Sequence, residues 1–236
     1  MTKHNVHLSN TEAEFSQQVQ DFLTDILSQK TASETIQVFR GSMPKVLCPI
    51  LKQLDQKNID RIRLFPVDER LVPVDDPENN VGAYLKLLPQ CFEDCFAQVE
   101  HIEDANLAAS TFEETLKQDN SNVNAAGCPI FDVLFLGLGP DGHTCSLFPR
   151  HPLLKENKKW IAPIEDSPKP PARRVTITLP VLNLAQNVAF LVTGESKAKV
   201  VQEIVSKKNA SYPPSLIQRD QIHWFLDESA ASQMTT

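Results

Sequence analysis

A chain of 236 residues with 41% hydrophobic and 22% charged side chains has an ordinary globular composition, well outside the range of disordered chains. Its formal net charge of −7 and pI of about 5.4 argue against nucleic acid as a partner, although a small phosphate needs only a few local donors and stays open. No stretch approaches the roughly 18 consecutive apolar residues of a membrane span, and the polar start MTKHNVHLSN lacks the apolar core of a secretory signal. The five cysteines, Cys48, Cys91, Cys95, Cys128 and Cys145, are odd in number and scattered, so they read as reduced thiols of a cytoplasmic protein with no metal site.

In chain order, Thr11 and Glu14 have capping-box spacing, and Phe15, Val19, Phe22, Leu23 and Ile26 recur at helical intervals behind them. Short apolar runs at Thr35–Phe39 and Ile62–Val67 predict strands, the first followed by Arg40-Gly41-Ser42 and the second by Asp68-Glu69-Arg70. Asp104–Lys117 predicts a helix with Leu107, Ala108, Phe112 and Leu116 on one side. Phe131–Leu136 is the strongest strand, and Val175–Leu179, Val188–Val192 and His223–Leu226 are further strands, with a helix expected from Glu195 to about Val205. Strands alternating with helices predict an α/β fold, a doubly wound and mostly parallel sheet with helices on both faces. No repeat or linker divides the chain, so one domain is expected over residues 1–236.

Five of the seven glycines, Gly41, Gly137, Gly139, Gly142 and Gly194, fall just after predicted strands. In open α/β sheets ligands bind in the crevice outside those strand ends, so one convergent site is expected there. Gly137-Leu-Gly139-Pro-Asp-Gly142 fits the pattern G-x-G-x-x-G, but Pro149 and Pro152 leave too little room for the helix that would hold a pyrophosphate, and Asp141 would oppose its charge. What remains is a glycine-lined loop exposing His143, whose neutral imidazole can take a proton from water, and Asp141, which can fix its tautomer. Cys145 lies too close in sequence to His143 for a nucleophile–base pair and is expected to pack in the loop, and no G-x-S-x-G elbow is present. Gly41-Ser42 before a helix with Pro44 near its start is a plausible anion cradle. Arg70 and Lys197 would supply positive charge beside it.

The stretches Asp68–Pro73, Phe131–Pro149, Asp166–Pro171, Arg174–Asn183 and Thr193–Ala198 resemble the 6-phosphogluconolactonases, and the run Gly142-His-Thr-Cys-Ser-Leu-Phe-Pro149 is the most specific of them. The resemblance runs from about Ile62 to the Trp224–Glu228 segment. It implies a Rossmann-like fold, shared with glucosamine-6-phosphate deaminase, that binds no dinucleotide. It also implies hydrolysis of the phosphorylated sugar lactone 6-phospho-glucono-1,5-lactone without metal or organic cofactor. His143 would then be the base, Asp141 its partner, and Arg70 and Lys197 would fall at phosphate- or substrate-binding positions. Arg40, Gly41, Ser42, Asp68, Gly139 and Gly142 complete the expected substrate site. The chain departs from the family where Arg40 stands in place of a glycine in the first loop, usually Ser-Gly-Gly-Ser, and at Glu78-Asn79-Asn80, where Ser-Asn or Ser-Thr is common. A monomer is the default expectation.

Overall fold

The computed structural model describes residues 2–30, 36–40, 43–119 and 122–234, with residues 36–40 and 119 as backbone only. Its frame is a six-stranded sheet built from β1 (Lys3–Ser9), β2 (Ile36–Arg40), β3 (Ile62–Pro66), β5 (Val133–Leu136), β8 (Asn187–Val192) and β9 (Gln221–Asp227). They lie in the order β1-β9-β8-β5-β2-β3, and every pairing is parallel. A smaller antiparallel sheet, β4-β7-β6, joins β4 (Asp68–Arg70), β7 (Arg174–Ile177) and β6 (Ile161–Ile164).

A parallel strand buried on both faces sends alternate side chains into two cores. On β5, Val133 and Phe135 enter one cluster and Leu134 and Leu136 the other; on β9, Phe225 and Trp224 divide the same way. The first cluster is closed by α1 (Glu12–Ser28), α2 (Pro44–Leu51), α3 (Gln56–Ile59) and α4 (Asn80–Leu85). The second is closed by the small sheet together with α5 (Ala105–Asp119), α6 (Leu179–Leu182), α7 (Ala198–Val201) and α8 (Glu228–Ala231). Helices therefore cover both faces, as the alternation of elements predicts.

Local chemistry sets the helix starts. Thr11 Oγ1 accepts from the Glu14 amide at 3.1 Å, and Glu14 Oε2 reaches back to the Asn10 amide at 2.7 Å, one residue beyond the usual capping-box target. Asp104 Oδ1 accepts from the Asn106 and Leu107 amides and starts α5.

Among the strands not read from the sequence are β1 and β4, and two expectations need correction. The polar N-terminus forms β1, because an edge strand needs only one covered side and pairs along its whole length with β9. Asp68-Glu69-Arg70, expected to follow a strand, is itself a strand of the small sheet. Leu107 is 44% exposed; the buried stripe of α5 is Ala105, Ala108, Ala109, Phe112 and Leu116. The helix expected from Glu195 is broken into a 3-10 turn (Glu195–Lys197), α7 and a π-turn (Gln202–Ser206).

The sheet order reverses between β2 and β5: β2 is followed by β3 on one side and β5 by β8 on the other. The carboxyl ends of those strands open a crevice at this switch point. Among the described residues no helix is long and apolar enough to cross a membrane.

Candidate active site

A cavity of about 300 Å³ occupies that crevice. Gly137, Leu138, Gly139 and His143 line it after β5, Val192, Thr193 and Lys197 after β8, Asp68 and Arg70 from β4, and Met43 ahead of α2. Glycine-bearing and charged strand ends thus converge on one pocket.

The loop after β5 is built for close approach. Gly139 donates to the His143 carbonyl at 2.9 Å, Gly142 donates to the Gly139 carbonyl at 2.9 Å, and Thr144 Oγ1 donates to the Gly137 carbonyl at 2.9 Å. A Cβ at Gly139 would stand 2.1 Å from the His143 ring. Gly142 has φ +85°, and a Cβ there would strike the Tyr212 ring at 2.1 Å. The Gly139 and Gly142 amides are therefore engaged inside the loop. Gly139 also lines the cavity, and the two glycines let the ring lie against the backbone and the chain reverse. No helix follows the loop; the chain goes on to a 3-10 turn at Pro152–Lys155.

His143 Nδ1 lies 2.5 Å from Asp141 Oδ1, and the ring stacks on Phe148 at 4.9 Å between centroids. With the carboxylate accepting from Nδ1–H, the neutral ring carries its lone pair on Nε2. Burial lowers the His143 pKa below the ordinary 6.5; the hydrogen bond and charge of Asp141 oppose this, and Lys169 adds to it. For Asp141, burial disfavours ionisation, but the hydrogen bonds and charges of His143 and Lys169 prevail and hold the carboxyl below its usual range. The outcome is a neutral imidazole beside an ionised carboxylate. Cys145 is buried, and burial pushes its thiol well up, so it is not a thiolate nucleophile.

Among the cations, Arg70 Nη1 donates to the Glu78 carbonyl at 2.9 Å and to its carboxylate at 3.1 Å. The departure at Glu78 thus has a structural consequence: it holds the Arg70 fork. Arg70 Nε is buried with no hydrogen-bond partner among the described residues. Lys197 follows Gly194, whose φ of +91° turns the chain and whose amide donates to Asp227 at 3.0 Å. Asp68, 5% exposed, accepts from Ser146 Oγ at 2.7 Å, and its carboxylate lies 3.9 Å from Arg174 Nη1. Arg40 ends β2; its side chain, with Gly41 and Ser42, lies outside the described residues. The cradle expected there leads into α2, where Met43 caps Pro44 without a side-chain hydrogen bond.

Lys169 and Arg174 are site residues that sequence reasoning missed. Lys169 Nζ lies 3.0 Å from Asp141 Oδ1 and 3.3 Å from His143 Nδ1. It sits in the Pro-rich segment Asp166–Pro171, one of the stretches that carry the family resemblance, and the composition there gives a lysine no particular partner. Among the described residues no group of three or more His, Cys, Asp and Glu side chains could hold a metal ion.

The family model described as glucosamine-6-phosphate isomerases/6-phosphogluconolactonase matches residues 10–224. A human 6-phosphogluconolactonase is 46% identical over 171 residues, which cover 71% of this chain and 66% of that one. An Arabidopsis thaliana protein named 6-phosphogluconolactonase 3, chloroplastic, is 38% identical over 225 residues, 90% of this chain and 69% of that one. Among solved structures, a Trypanosoma cruzi 6-phosphogluconolactonase superposes with a TM-score of 0.84 at 24% identity, over 100% of this chain and 99% of that chain. A monomeric glucosamine-6-phosphate deaminase superposes at 0.76 with 18% identity, over 97% and 99%. At these identities the structural matches establish the fold alone.

Proposed function

The chain belongs to the glucosamine-6-phosphate isomerase/6-phosphogluconolactonase family, and from that premise we propose that it hydrolyses 6-phospho-D-glucono-1,5-lactone to 6-phospho-D-gluconate, the second step of the oxidative pentose phosphate pathway. The observation that carries the hydrolytic reading is the His143–Asp141 pair beside a cavity lined by His143, Arg70 and Lys197, and the run Leu147-Phe-Pro149 after it fits the lactonase branch.

A lactone carbonyl is already electrophilic, so the site needs an oriented water, a base and positive charge. Nε2 of His143 takes a proton as the water oxygen bonds to C1, and Asp141 stabilises the imidazolium that forms. When the tetrahedral intermediate collapses, the bond from C1 to the ring oxygen breaks and Nε2 returns its proton to that oxygen. The Gly139 and Gly142 amides are engaged in the loop, so neither supplies the charge stabilisation of the oxyanion. Arg70 and Lys197 anchor the phosphate at the far end of the sugar, holding C1 against the water. No step calls on a metal or organic cofactor. Residence in the cytoplasm and a monomeric state complete this reading; the five free thiols support the former.

The test is the rate of 6-phosphogluconate formation from freshly generated lactone, with spontaneous hydrolysis subtracted, for the wild type and His143→Ala. The wild type should show a large excess, and the variant should lose about 10²-fold or more of kcat with little change in stability. Turnover in His143→Ala within a few-fold of wild type would remove this residue from the mechanism. A folded wild type that binds the sugar phosphate without turning it over would make the chain a binding protein.

A further inference from the structure

The Pro-rich segment at 167–171 is held in place by a buried arginine. Arg174, 2% exposed, donates from Nε to the Pro171 carbonyl at 2.9 Å and from Nη2 to the Lys169 and Pro170 carbonyls at 2.9 and 3.1 Å. Its Nη1 contacts Ser146 Oγ at 3.4 Å and faces the Asp68 carboxylate. Its guanidinium also lies 5.9 Å from the Phe148 ring on which His143 stacks. A buried guanidinium commonly serves a carboxylate in a forked pair. Here most of the donors go instead to three consecutive backbone carbonyls, and the residue so fixed is Lys169. Prolines on its C-terminal side stiffen the segment further, since proline sets φ without any contact from the site.

The fixed loop delivers one charge to one place. Lys169 Nζ is within hydrogen-bond distance of Asp141 and 3.3 Å from His143 Nδ1. Because Nδ1–H is already donated to Asp141, the approach of the ammonium to that nitrogen is electrostatic and not a second hydrogen bond. We propose that Lys169 is a positioning residue of the His143–Asp141 centre, clamped by Arg174, whose ammonium locks the Asp141 carboxylate against the ring and opposes a second positive charge there. This rests on the lactonase reading for its kinetic consequence and on geometry for the rest. Catalysis needs both effects. An ionised Asp141 alone would raise the ring's affinity for protons and leave more of the base already occupied; Lys169 offsets that while keeping the carboxylate ionised and aimed. Among the described residues, the other charged or titratable groups around the ring are Asp68 from β4, Arg70 and Lys197 on the cavity wall, Cys145 in the same loop, and Tyr212 against Gly142.

Lys169 is partly exposed, so Lys169→Met should fold, and Lys169→Arg restores the charge. The ring of His143 is followed by proton NMR against pH, with His143→Ala identifying its resonance, alongside the pH profile of kcat/KM for the lactone. In Lys169→Met the His143 resonance should titrate at higher pH than in the wild type, and the acid limb of kcat/KM should move the same way. kcat should fall roughly 10-fold on the acid side and recover towards alkaline pH, with KM little changed. Lys169→Arg should return both profiles towards wild type. An unmoved His143 titration overturns the proposal, as does a raised KM with an unmoved acid limb, which would make Lys169 a substrate ligand. A wild type without turnover would overturn the lactonase reading, while the NMR titration would still decide this one.

Discussion

At the scale of single residues, the site depends on how close a ring can come to the backbone. His143 rests over Gly139, and the space a methyl group would need there is taken by the ring and by Asp141 Oδ1, 2.6 Å from the position of such a Cβ. Gly139→Ala must therefore displace the imidazole from its carboxylate. Because a misplacement of about 1 Å can cost on the order of 10²-fold in rate, this variant should lose kcat on that scale while keeping a near-normal urea midpoint. Steady-state kinetics beside a denaturation curve checks both. That Asp141 and His143 share this loop was legible in the sequence, because one residue separates them and glycines flank them. Lys169 was not legible, because its partner lies 28 positions away and only folding brings the two together.

At the scale of elements, the edge strand β1 is fastened by histidines. His7 Nε2 and His223 Nδ1 lie 3.0 Å apart, His7 stacks on Phe225 at 4.5 Å, and His4 Nδ1 accepts from the Trp224 indole at 2.9 Å. Burial lowers the pKa of all three; His7 lowers that of His223 further, and Lys208 that of His4. A His7–His223 pair sharing one proton cannot accept a second at its hydrogen bond without losing that bond. The sign follows: folded pKa values below the unfolded 6.5 mean that the unfolded chain binds more protons, so stability is full above about pH 6.5 and declines as pH falls through the folded values. The melting temperature should drop between about pH 7.5 and about pH 5.5, and His7→Phe should reduce that drop. An equal drop in the variant would remove the pair as its cause. The apolar residues that alternate on β1, Val6 and Leu8, are 40% and 48% exposed, so periodicity could not reveal the face that packs; the pairing with β9 is a tertiary fact.

At the scale of the whole molecule, two cores share one sheet. Trp224, fully buried and stacked on Phe190 at 4.2 Å, belongs to the larger cluster, while its neighbour Phe225 belongs to the other. Adjacent residues of one strand cannot leave their cores separately, so the two should melt together. Loss of tryptophan fluorescence, of circular dichroism and of lactonase activity in urea should then coincide. Separated midpoints would mean that the chain holds two independently stable units instead of the single domain expected.

By itself, the sequence determined the class of fold, because strand and helix periods alternate along it and β5, β8 and β9 are apolar enough to be buried on both sides. It also put Asp141 and His143, the proposed base and its carboxylate, in one loop, because a single residue separates them in the chain. Tertiary structure alone decided that Glu78 holds Arg70 and that Arg174 sets Lys169 beside the ring. The last of these joins positions 28 apart at Lys169 and Asp141, and charge on a surface side chain carries no local sign of the partner that folding will supply.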